Sequence, residues 1–144
     1  MFDKILVVCT GNICRSPMGE ALLRAGLKRP GQLVLSAGIG ALVGHQADAM
    51  AREVMIEKGV DISEHRAQQA TLPLLSSMDL ILAMDQSHVD WISRQYPQLR
   101  GRVHKYLKWS QNADVADPYR LPKAAFEKAY ADIERGTADW LKRL

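Results

Sequence analysis

A cysteine and an arginine lie six positions apart near the N-terminus, at the two ends of the segment CTGNICR, residues 9–15. A short apolar run precedes this segment and a stretch with helical spacing follows it. Backbone N–H groups at a helix N-terminus are unpaired, and a loop curled around them can turn further amides inward. Gly11 and Asn12 are residue types that tolerate the positive φ that such a curl demands. The segment therefore predicts a cradle for a tetrahedral oxyanion.

The two end residues could do chemistry on a bound oxyanion. Arg15 can fork onto two phosphoryl oxygens, and the Gly-Lys-Ser/Thr ending of a nucleotide-binding loop is missing. The helix terminus, the arginine and the loop amides would all favour the thiolate of Cys9, a nucleophile for phosphorus. The spacing alone fits equally well a cysteine that ends a buried strand and an arginine that solvates a loop. The position between a strand and a helix favours the functional interpretation.

A carboxylate further along the chain could protonate a leaving phenolate, as a general acid does. Asp117 precedes Pro118, which restricts the aspartate's backbone to extended conformations and keeps it out of a helix. We therefore expect Asp117 on a loop after the last strand, at the binding end of the sheet. Asp-Pro pairs are also common in turns, and the spacing by itself favours a plain turn residue.

Apolar runs alternate with stretches of helical spacing along the chain. The runs predict strands over residues 4–9, 33–38, 79–84 and 103–107. Helices are predicted from a Ser16 cap with Pro17 in the first position, over residues 45–59, from a Ser87–Asp90 capping box to before Pro97, and from Pro122 to the C-terminus. The alternation predicts a single α/β domain over residues 1–144, with a four-stranded parallel twisted sheet and helices on both faces. Ligands of such sheets bind beyond the carboxyl ends of the strands.

The composition limits the classes of function. The 144 residues carry 19 basic and 16 acidic side chains, a mildly basic balance that suits an anionic substrate but not a nucleic acid. Two cysteines and four scattered histidines predict neither a disulfide framework nor a metal site, and we expect no cofactor. No apolar run reaches membrane-spanning length and no signal sequence is evident, so the expected location is the cytoplasm. The expected state is a monomer, because the sequence identifies no exposed apolar patch.

Five motifs, taken together, resemble the low-molecular-weight protein tyrosine phosphatases. They are CTGNICRSP at 9–17, SAG at 36–38, HRAQQ at 65–69, DLILAMD at 79–85 and DPYR at 117–120. Their order and separations match that family over essentially the whole chain. The segments AGIGALVGHQAD and DPYR look most like the bacterial branch that serves capsule and exopolysaccharide export.

This resemblance implies metal-independent hydrolysis of protein phosphotyrosine through a phosphocysteine intermediate. Cys9 would be the nucleophile, Arg15 would bind the phosphate and stabilise the transition state, and Asp117 would protonate the leaving oxygen and then activate water. The phosphate-binding loop would consist of Thr10, Gly11, Asn12, Ile13, Cys14, Arg15 and Ser16. The implied partner is an autophosphorylating bacterial tyrosine kinase of the polysaccharide export machinery.

The resemblance also implies roles for residues around the loop. The polar network that braces the loop would consist of Asn12, Ser16, Ser36 and His65, and Ser16 would also hydrogen-bond the sulfur of Cys9. Tyr119 would wall the pocket mouth, and Leu42 would stand where some relatives place a bulky ring. Cys14 matches a second loop cysteine that can form a disulfide with Cys9, although it could equally pack beneath the loop.

Three other functions are compatible with parts of the pattern. Arsenate reduction uses the same fold and loop, but its electron relay needs further cysteines, and this chain has only Cys9 and Cys14. A phosphotyrosine-binding module without turnover needs neither a thiolate nor an acid. A thiol redox or sensor protein leaves Gly11, Asn12 and Arg15 unexplained.

Overall fold

Strand β1 (Lys4–Cys9) is one of the two inner strands of the sheet, in a computed structural model that describes residues 2–144. It pairs with β2 (Leu33–Gly38) on one side and with β3 (Leu80–Ala83) on the other, and β3 pairs with β4 (Val103–Lys105). All three pairings are parallel, and the strand order is β2-β1-β3-β4. The predicted four-stranded parallel sheet is confirmed, with the third and fourth strands shorter than expected.

Helices cover both faces of this sheet. Their bounds are α1 Arg15–Gly26, α2 Ala49–Glu57, α3 Leu72–Ser76, α4 Gln86–Gln95 and α5 Lys123–Leu141, with a 3-10 helix at Pro97–Arg102. Alternate side chains of β1 enter two separate cores, because successive residues of a strand point to opposite faces. Ile5 and Val7 belong to the core shared with α1, α2 and α5, whereas Leu6 and Val8 belong to the core shared with α3 and α4. No helix among residues 2–144 combines the length and apolarity that crossing a bilayer requires.

The start of α1 differs from the prediction. The helix begins at Arg15, Cys14 occupies the N-cap position, and no side chain caps it. The predicted Ser16 cap is therefore wrong, because the Ser16 hydroxyl lies in the first turn and contacts the sulfur of Cys9 instead. Pro17 is the third helical residue, where its missing N–H costs nothing since the first four amides have no partner within the helix.

The capping box of α4 lies two residues earlier than predicted. Asp85, not Ser87, is the N-cap, and its side chain accepts from the backbone N–H of Ser87. His88, not Asp90, completes the box, since its Nδ1 accepts from the backbone N–H of Asp85. The prediction failed because a histidine ring nitrogen here takes the place that Glu or Gln usually fills in a capping box.

Helix α2 also starts later than expected, at Ala49 with Asp48 as its N-cap. The residues before it are held in a loop, since the Asp48 amide donates to the Ile13 carbonyl and the Ala67 amide donates to the carbonyl of His45. The short helix α3 and the 3-10 helix were not predicted, because elements of five or six residues are too short to show helical periodicity.

Gly136 has a packing role that its helix propensity does not indicate. A Cβ at this position would lie 2.8 Å from the Tyr106 ring and 2.9 Å from the Tyr106 carbonyl oxygen. Gly136 thus allows α5 to approach the segment that follows β4. A glycine inside a helix costs about 1 kcal/mol of stability relative to alanine, but an alanine here would clash with Tyr106.

The connections of the sheet determine where a ligand site can form. The chain leaves β1 for β2 on one side and later reaches β3 on the other side, so the connections diverge at the carboxyl ends of β1 and β3. Ligands of open α/β sheets bind in the crevice at such a switch point. The segments that follow β1, β3 and β4 meet there and bring together Cys9, Asp85 and Asp117.

Candidate active site

The loop between β1 and α1 begins directly after Cys9, the last residue of β1, which is 2% exposed. Asn12 adopts a φ of 60°, in the left-handed region that asparagine tolerates better than most residues. Gly11 does not have a positive φ, so the expectation that both residues need this freedom is wrong for Gly11. Asn12 is the residue of this loop that adopts the left-handed conformation, and its side-chain hydrogen bonds hold it in that conformation.

The four polar residues predicted to brace the loop lie together, with Asn12 in contact with the other three. Its Nδ2 donates to the hydroxyl oxygens of Ser16 at 2.7 Å and Ser36 at 3.0 Å. Its Oδ1 accepts from the backbone N–H of Gln68 at 2.9 Å, and the backbone carbonyl oxygen of Asn12 accepts from Nε2 of His65 at 2.6 Å. Every polar group of the Asn12 side chain is therefore used, which fixes the left-handed turn. Gln68 lies in the motif HRAQQ, but no role was predicted for it.

Ser16 connects this network to the nucleophile candidate. Its Oγ lies 2.9 Å from the sulfur of Cys9. Since the Asn12 amide donates to that same oxygen, the Ser16 hydroxyl proton is available for the sulfur. A hydroxyl that donates to sulfur stabilises a thiolate over a thiol, because hydrogen bonding to the charged form favours it.

Gly38, at the end of β2, allows the loop to pass close to the neighbouring strand. A Cβ there would lie 2.4 Å from the Thr10 carbonyl oxygen, 3.0 Å from the Asn12 nitrogen and 3.1 Å from the Gly11 carbonyl carbon. All three are backbone atoms of the phosphate-binding loop, so relief of such a contact would displace the loop itself and not merely a flexible side chain. Gly38 was not predicted as a site residue, although the strand-ending motif SAG contained the signal.

Arg15 is buried, with 1% of the residue exposed, and Nη1 anchors its guanidinium. Its Nη1 donates to Oδ2 of Asp85 and to the carbonyl oxygen of Val115, each at 2.8 Å. Its Nε has no hydrogen-bond partner among residues 2–144, and its Nη2 makes only long contacts, 3.5 Å to Oγ1 of Thr10 and 3.6 Å to Oδ2 of Asp117. A buried donor normally has a partner. The Nε–Nη2 edge, which makes no short hydrogen bond to residues 2–144, therefore fits two oxygens of a bound oxyanion.

The carboxyl group of Asp85, which accepts from Arg15, is ionised at neutral pH. Burial disfavours its ionised form, but hydrogen bonds from Ser87 and Arg15 outweigh burial and hold the pKa of Asp85 below its usual value. The neighbouring His88 is fully buried, and burial lowers the pKa of its imidazole to about 4. Asp85 is thus an anion and His88 a neutral ring at neutral pH. Neither was predicted as a site residue, and the only signal was the position of Asp85 at the end of the run DLILAMD.

The mouth of the pocket carries the predicted acid. Asp117 lines the same cavity of about 180 Å³ as Cys9, and its side chain is 48% exposed. Its Oδ1 accepts from the backbone N–H of Tyr119 at 3.1 Å, which fixes the carboxylate at the mouth. Apolar side chains of Ile13, Leu42 and Tyr119 form the walls. The arrangement places a carboxyl group, a thiol and the free arginine edge around one pocket.

The two cysteines differ in their surroundings, and both are free thiols. Burial raises the pKa of Cys14 far above its usual value, and the nearby carboxylate of Asp48 raises it further. Cys14 therefore stays protonated at neutral pH, and because the thiolate is the nucleophilic form, Cys14 is a poor nucleophile there. The two alternatives for Cys14, a disulfide with Cys9 or packing beneath the loop, stay open predictions.

The fold and the pocket together define a class of protein, an α/β protein in which a short loop joins a buried cysteine at the end of a strand to a helix that starts with arginine. The model of one protein family, described as low molecular weight phosphotyrosine protein phosphatase, matches residues 4–144. The chain belongs to this family, as the motifs predicted.

Three relatives illustrate the similarity. The probable low molecular weight protein-tyrosine-phosphatase EpsP of Ralstonia nicotianae is 52% identical over 144 residues, which are 100% of this chain and 97% of that protein. The structure of Vibrio vulnificus Wzb in complex with benzylphosphonate superposes with a TM-score of 0.95 at 45% identity, covering 100% of both chains. The YwlE arginine phosphatase of Geobacillus stearothermophilus is more distant, with a TM-score of 0.90, 32% identity, and coverage of 97% of this chain and 91% of that one.

Proposed function

We propose that the protein hydrolyses phosphotyrosine in proteins through a phosphocysteine intermediate. One observation carries the proposal: the Cys9 sulfur, the Arg15 edge whose Nε has no partner among residues 2–144, and the Asp117 carboxyl group line one pocket. Family membership and the bacterial tyrosine phosphatases among the relatives support the same reaction.

In the first step, the loop amides and the free edge of Arg15 hold the phosphoryl group. The Cys9 thiolate attacks phosphorus, so that a P–S bond forms as the P–O bond to tyrosine breaks. Asp117, in its acid form, gives its proton to the leaving phenolate oxygen. The position of this carboxyl group at the pocket mouth supports that role, because the leaving group departs toward solvent.

In the second step, water attacks the phosphocysteine and the P–S bond breaks. The Asp117 carboxylate, which lost its proton in the first step, accepts a proton from the attacking water. The Ser16 hydroxyl, 2.9 Å from the sulfur, stabilises the thiolate that leaves. Inorganic phosphate is then released and the starting state of all three groups is restored.

The walls of the pocket favour an aromatic phosphate ester. Ile13, Leu42 and Tyr119 offer apolar surface to a phenyl ring, and shorter phosphoserine side chains would not carry their phosphoryl group as deep. A phosphoarginine side chain would bring several N–H donors against these walls, where few acceptors could pair with them. Phosphotyrosine is therefore preferred over the substrate class named for the relative YwlE. Arsenate reduction is not favoured, because both cysteines lie in the loop.

The proposed physiological substrate is a bacterial tyrosine autokinase of capsule or exopolysaccharide export. The support is the similarity to bacterial phosphatases such as EpsP and Wzb, together with the branch-specific segments AGIGALVGHQAD and DPYR. Dephosphorylation of a phosphorylated kinase domain of this type can be compared with that of unrelated phosphotyrosine peptides of equal concentration. A kinase that is not dephosphorylated faster than the peptides would speak against this partner.

The reaction itself is tested with p-nitrophenyl phosphate in the presence of a chelator. Wild-type protein should turn over this substrate, and Cys9→Ser should lose at least about 10³-fold in kcat because serine is a poor nucleophile at neutral pH. Equal rates for the two proteins would disprove the proposed mechanism. A phosphotyrosine peptide and a phosphoarginine peptide, compared at equal concentration, then measure the substrate preference.

The role of Asp117 is tested separately. Asp117→Asn removes the proton donor but keeps the shape of the side chain, so kcat should fall much more than the affinity for inorganic phosphate. The loss should be largest for esters with poorly acidic leaving groups, since these need the proton most. A variant whose dependence on leaving-group pKa equals that of the wild type would remove Asp117 from this role.

A further inference from the structure

The buried ring of His88 connects α4 to the phosphate-binding loop. Its side chain is 0% exposed, and both ring nitrogens have partners. Nδ1 lies 3.1 Å from the backbone nitrogen of Asp85, which can only donate, so Nδ1 must accept. Nε2 lies 2.9 Å from Oγ1 of Thr10. The reaction proposed above does not use this contact.

The Asp85 amide determines the tautomer of the ring. A neutral imidazole that accepts at Nδ1 carries its proton on Nε2, so Nε2–H donates to Thr10. Three carboxylates near the ring favour its protonation, namely Asp85, whose Oδ1 is 3.4 Å from Nδ1, Asp117 and Asp114, whereas the charge of Arg15 opposes it. Burial outweighs the attraction of these carboxylates and lowers the pKa of His88 to about 4. The ring is therefore a donor to Thr10 throughout the neutral pH range.

Because His88 donates to Thr10, the Thr10 hydroxyl can still act as a hydrogen-bond donor. The oxygen accepts from Nε2 of His88 and receives a second, longer contact of 3.5 Å from Nη2 of Arg15. A hydroxyl has two acceptor positions and one proton. With the acceptor positions turned toward His88 and Arg15, the proton is available for an acceptor in the pocket, which Thr10 lines together with Cys9.

We propose that the Thr10 hydroxyl donates a hydrogen bond to an oxygen of the bound phosphoryl group, and that His88 is the positioning residue that turns it toward that oxygen. Thr10 thereby adds a side-chain donor to the amides and the Arg15 edge. The inference rests on the proposed function, because the phosphoryl group is the acceptor. The competing interpretation is that His88 only caps α4 through its contact with Asp85.

The hydroxyl is tested with a matched pair of variants, Thr10→Val and Thr10→Ser. Valine keeps the shape of threonine without the hydroxyl, whereas serine keeps the hydroxyl. A hydrogen bond to a charged acceptor predicts a loss of roughly ten- to hundredfold in kcat/KM for Thr10→Val, with a similar loss of affinity for inorganic phosphate. Thr10→Ser should stay within a few-fold of wild type. Wild-type kinetics and phosphate affinity for Thr10→Val would overturn the proposal.

The positioning role is tested with His88→Asn and His88→Gln. Asparagine can still accept from the Asp85 amide but is too short to reach Thr10, whereas glutamine offers an acceptor and a donor at spacings similar to those of imidazole. His88→Asn should lose kcat/KM nearly as Thr10→Val does, and His88→Gln should recover most of it. In the Thr10→Val background, His88→Asn should cause no further loss. An equal additional loss there would show that His88 acts only through the helix cap and would overturn its positioning role.

Phosphate binding separates this proposal from the proposed function. Affinity for inorganic phosphate is measured by calorimetry in wild type and Thr10→Val, and it requires no turnover. If wild type fails to hydrolyse p-nitrophenyl phosphate, the proposed function fails, but a weaker affinity in Thr10→Val still supports the hydroxyl donor. If wild type is active and Thr10→Val matches it in both readouts, the donor role fails while the phosphatase function stands.

Discussion

Gly38→Ala should disable the active site more than it destabilises the fold. The added Cβ would lie 2.4 Å from the carbonyl oxygen of Thr10, where ordinary contacts begin at 3.4 Å. Relief of this contact requires a displacement of about 1 Å, from 3.4 − 2.4, between β2 and the phosphate-binding loop. β2 is paired along its length with β1, from Lys4–Leu33 to Cys9–Gly38, so the loop is the part that moves.

A displacement of this size is large for catalysis and moderate for folding. Misplacement of reacting groups by about 1 Å can cost on the order of 10²-fold in rate. Overpacking of a close contact typically costs about 1–3 kcal/mol of unfolding free energy. We therefore expect Gly38→Ala to lose about 10²-fold in kcat/KM. The protein should remain folded at 25 °C, because such domains are stable by about 5–15 kcal/mol.

Steady-state kinetics with p-nitrophenyl phosphate, affinity for inorganic phosphate and thermal unfolding together test this prediction. Gly101→Ala is the control, since a Cβ at Gly101 would have no atom within 4 Å and the glycine lies in the 3-10 helix. This control should match the wild type in all three measurements.

Retention of wild-type kcat/KM and phosphate affinity in Gly38→Ala would refute the reasoning. It would mean that the loop tolerates a shift of its backbone, and that the close approach at Gly38 has no bearing on phosphate binding. A loss of activity matched by the control would also refute it, because the effect would then not depend on contact with the loop.

Three further predictions concern other parts of the molecule. Gly136→Ala should lower unfolding free energy by about 1–3 kcal/mol through contact with Tyr106, despite the higher helix propensity of alanine; a raised melting temperature would contradict it. Iodoacetate at neutral pH should label Cys9 and not the protonated Cys14, and inorganic phosphate should protect Cys9 from labelling. Peptide mass spectrometry identifies the labelled cysteine, and labelling of Cys14 before Cys9 would contradict the prediction. The unfolding free energy of the wild type should fall as the pH drops from 6.5 to about 4, because in this range the histidine binds a proton in the unfolded chain but not when it is buried in the fold. Denaturant titrations of His88→Gln should show a fall that is smaller by about 1 kcal/mol per pH unit.

Much of the fold followed from local patterns in the sequence. The apolar run at residues 4–9 predicted β1, and the alternation of such runs with helical spacing predicted a parallel sheet, because parallel strands need long crossover connections. Helix boundaries were less predictable. Several side chains could cap each helix, and the choice depends on what else they contact. Ser16 is the clearest case, since the sulfur of Cys9 engages the hydroxyl that would otherwise have capped α1.

The residues to which the proposed chemistry is assigned were identified from the sequence, whereas the contacts that hold them were not. Cys9 and Arg15 are close in sequence, and a loop between a strand and a helix predicts an oxyanion site from local geometry alone. The anchors of Arg15 lie 70 and 100 positions away, at Asp85 and at the carbonyl of Val115. A carbonyl has no residue-specific signal in a sequence, and an aspartate after a strand has many possible roles.

The sequence by itself determined the order of the elements, the loop with its cysteine and arginine, and the conformational tolerance that Asn12 supplies, since these depend on residue type and short spacing. Only the tertiary structure decided which edge of the Arg15 guanidinium makes no short hydrogen bond, how closely Gly38 approaches the loop, and that the ring of His88 reaches Thr10. These features depend on distances between segments remote in the chain, and the parallel sheet sets those distances when it brings the carboxyl ends of β1 and β3 to one edge.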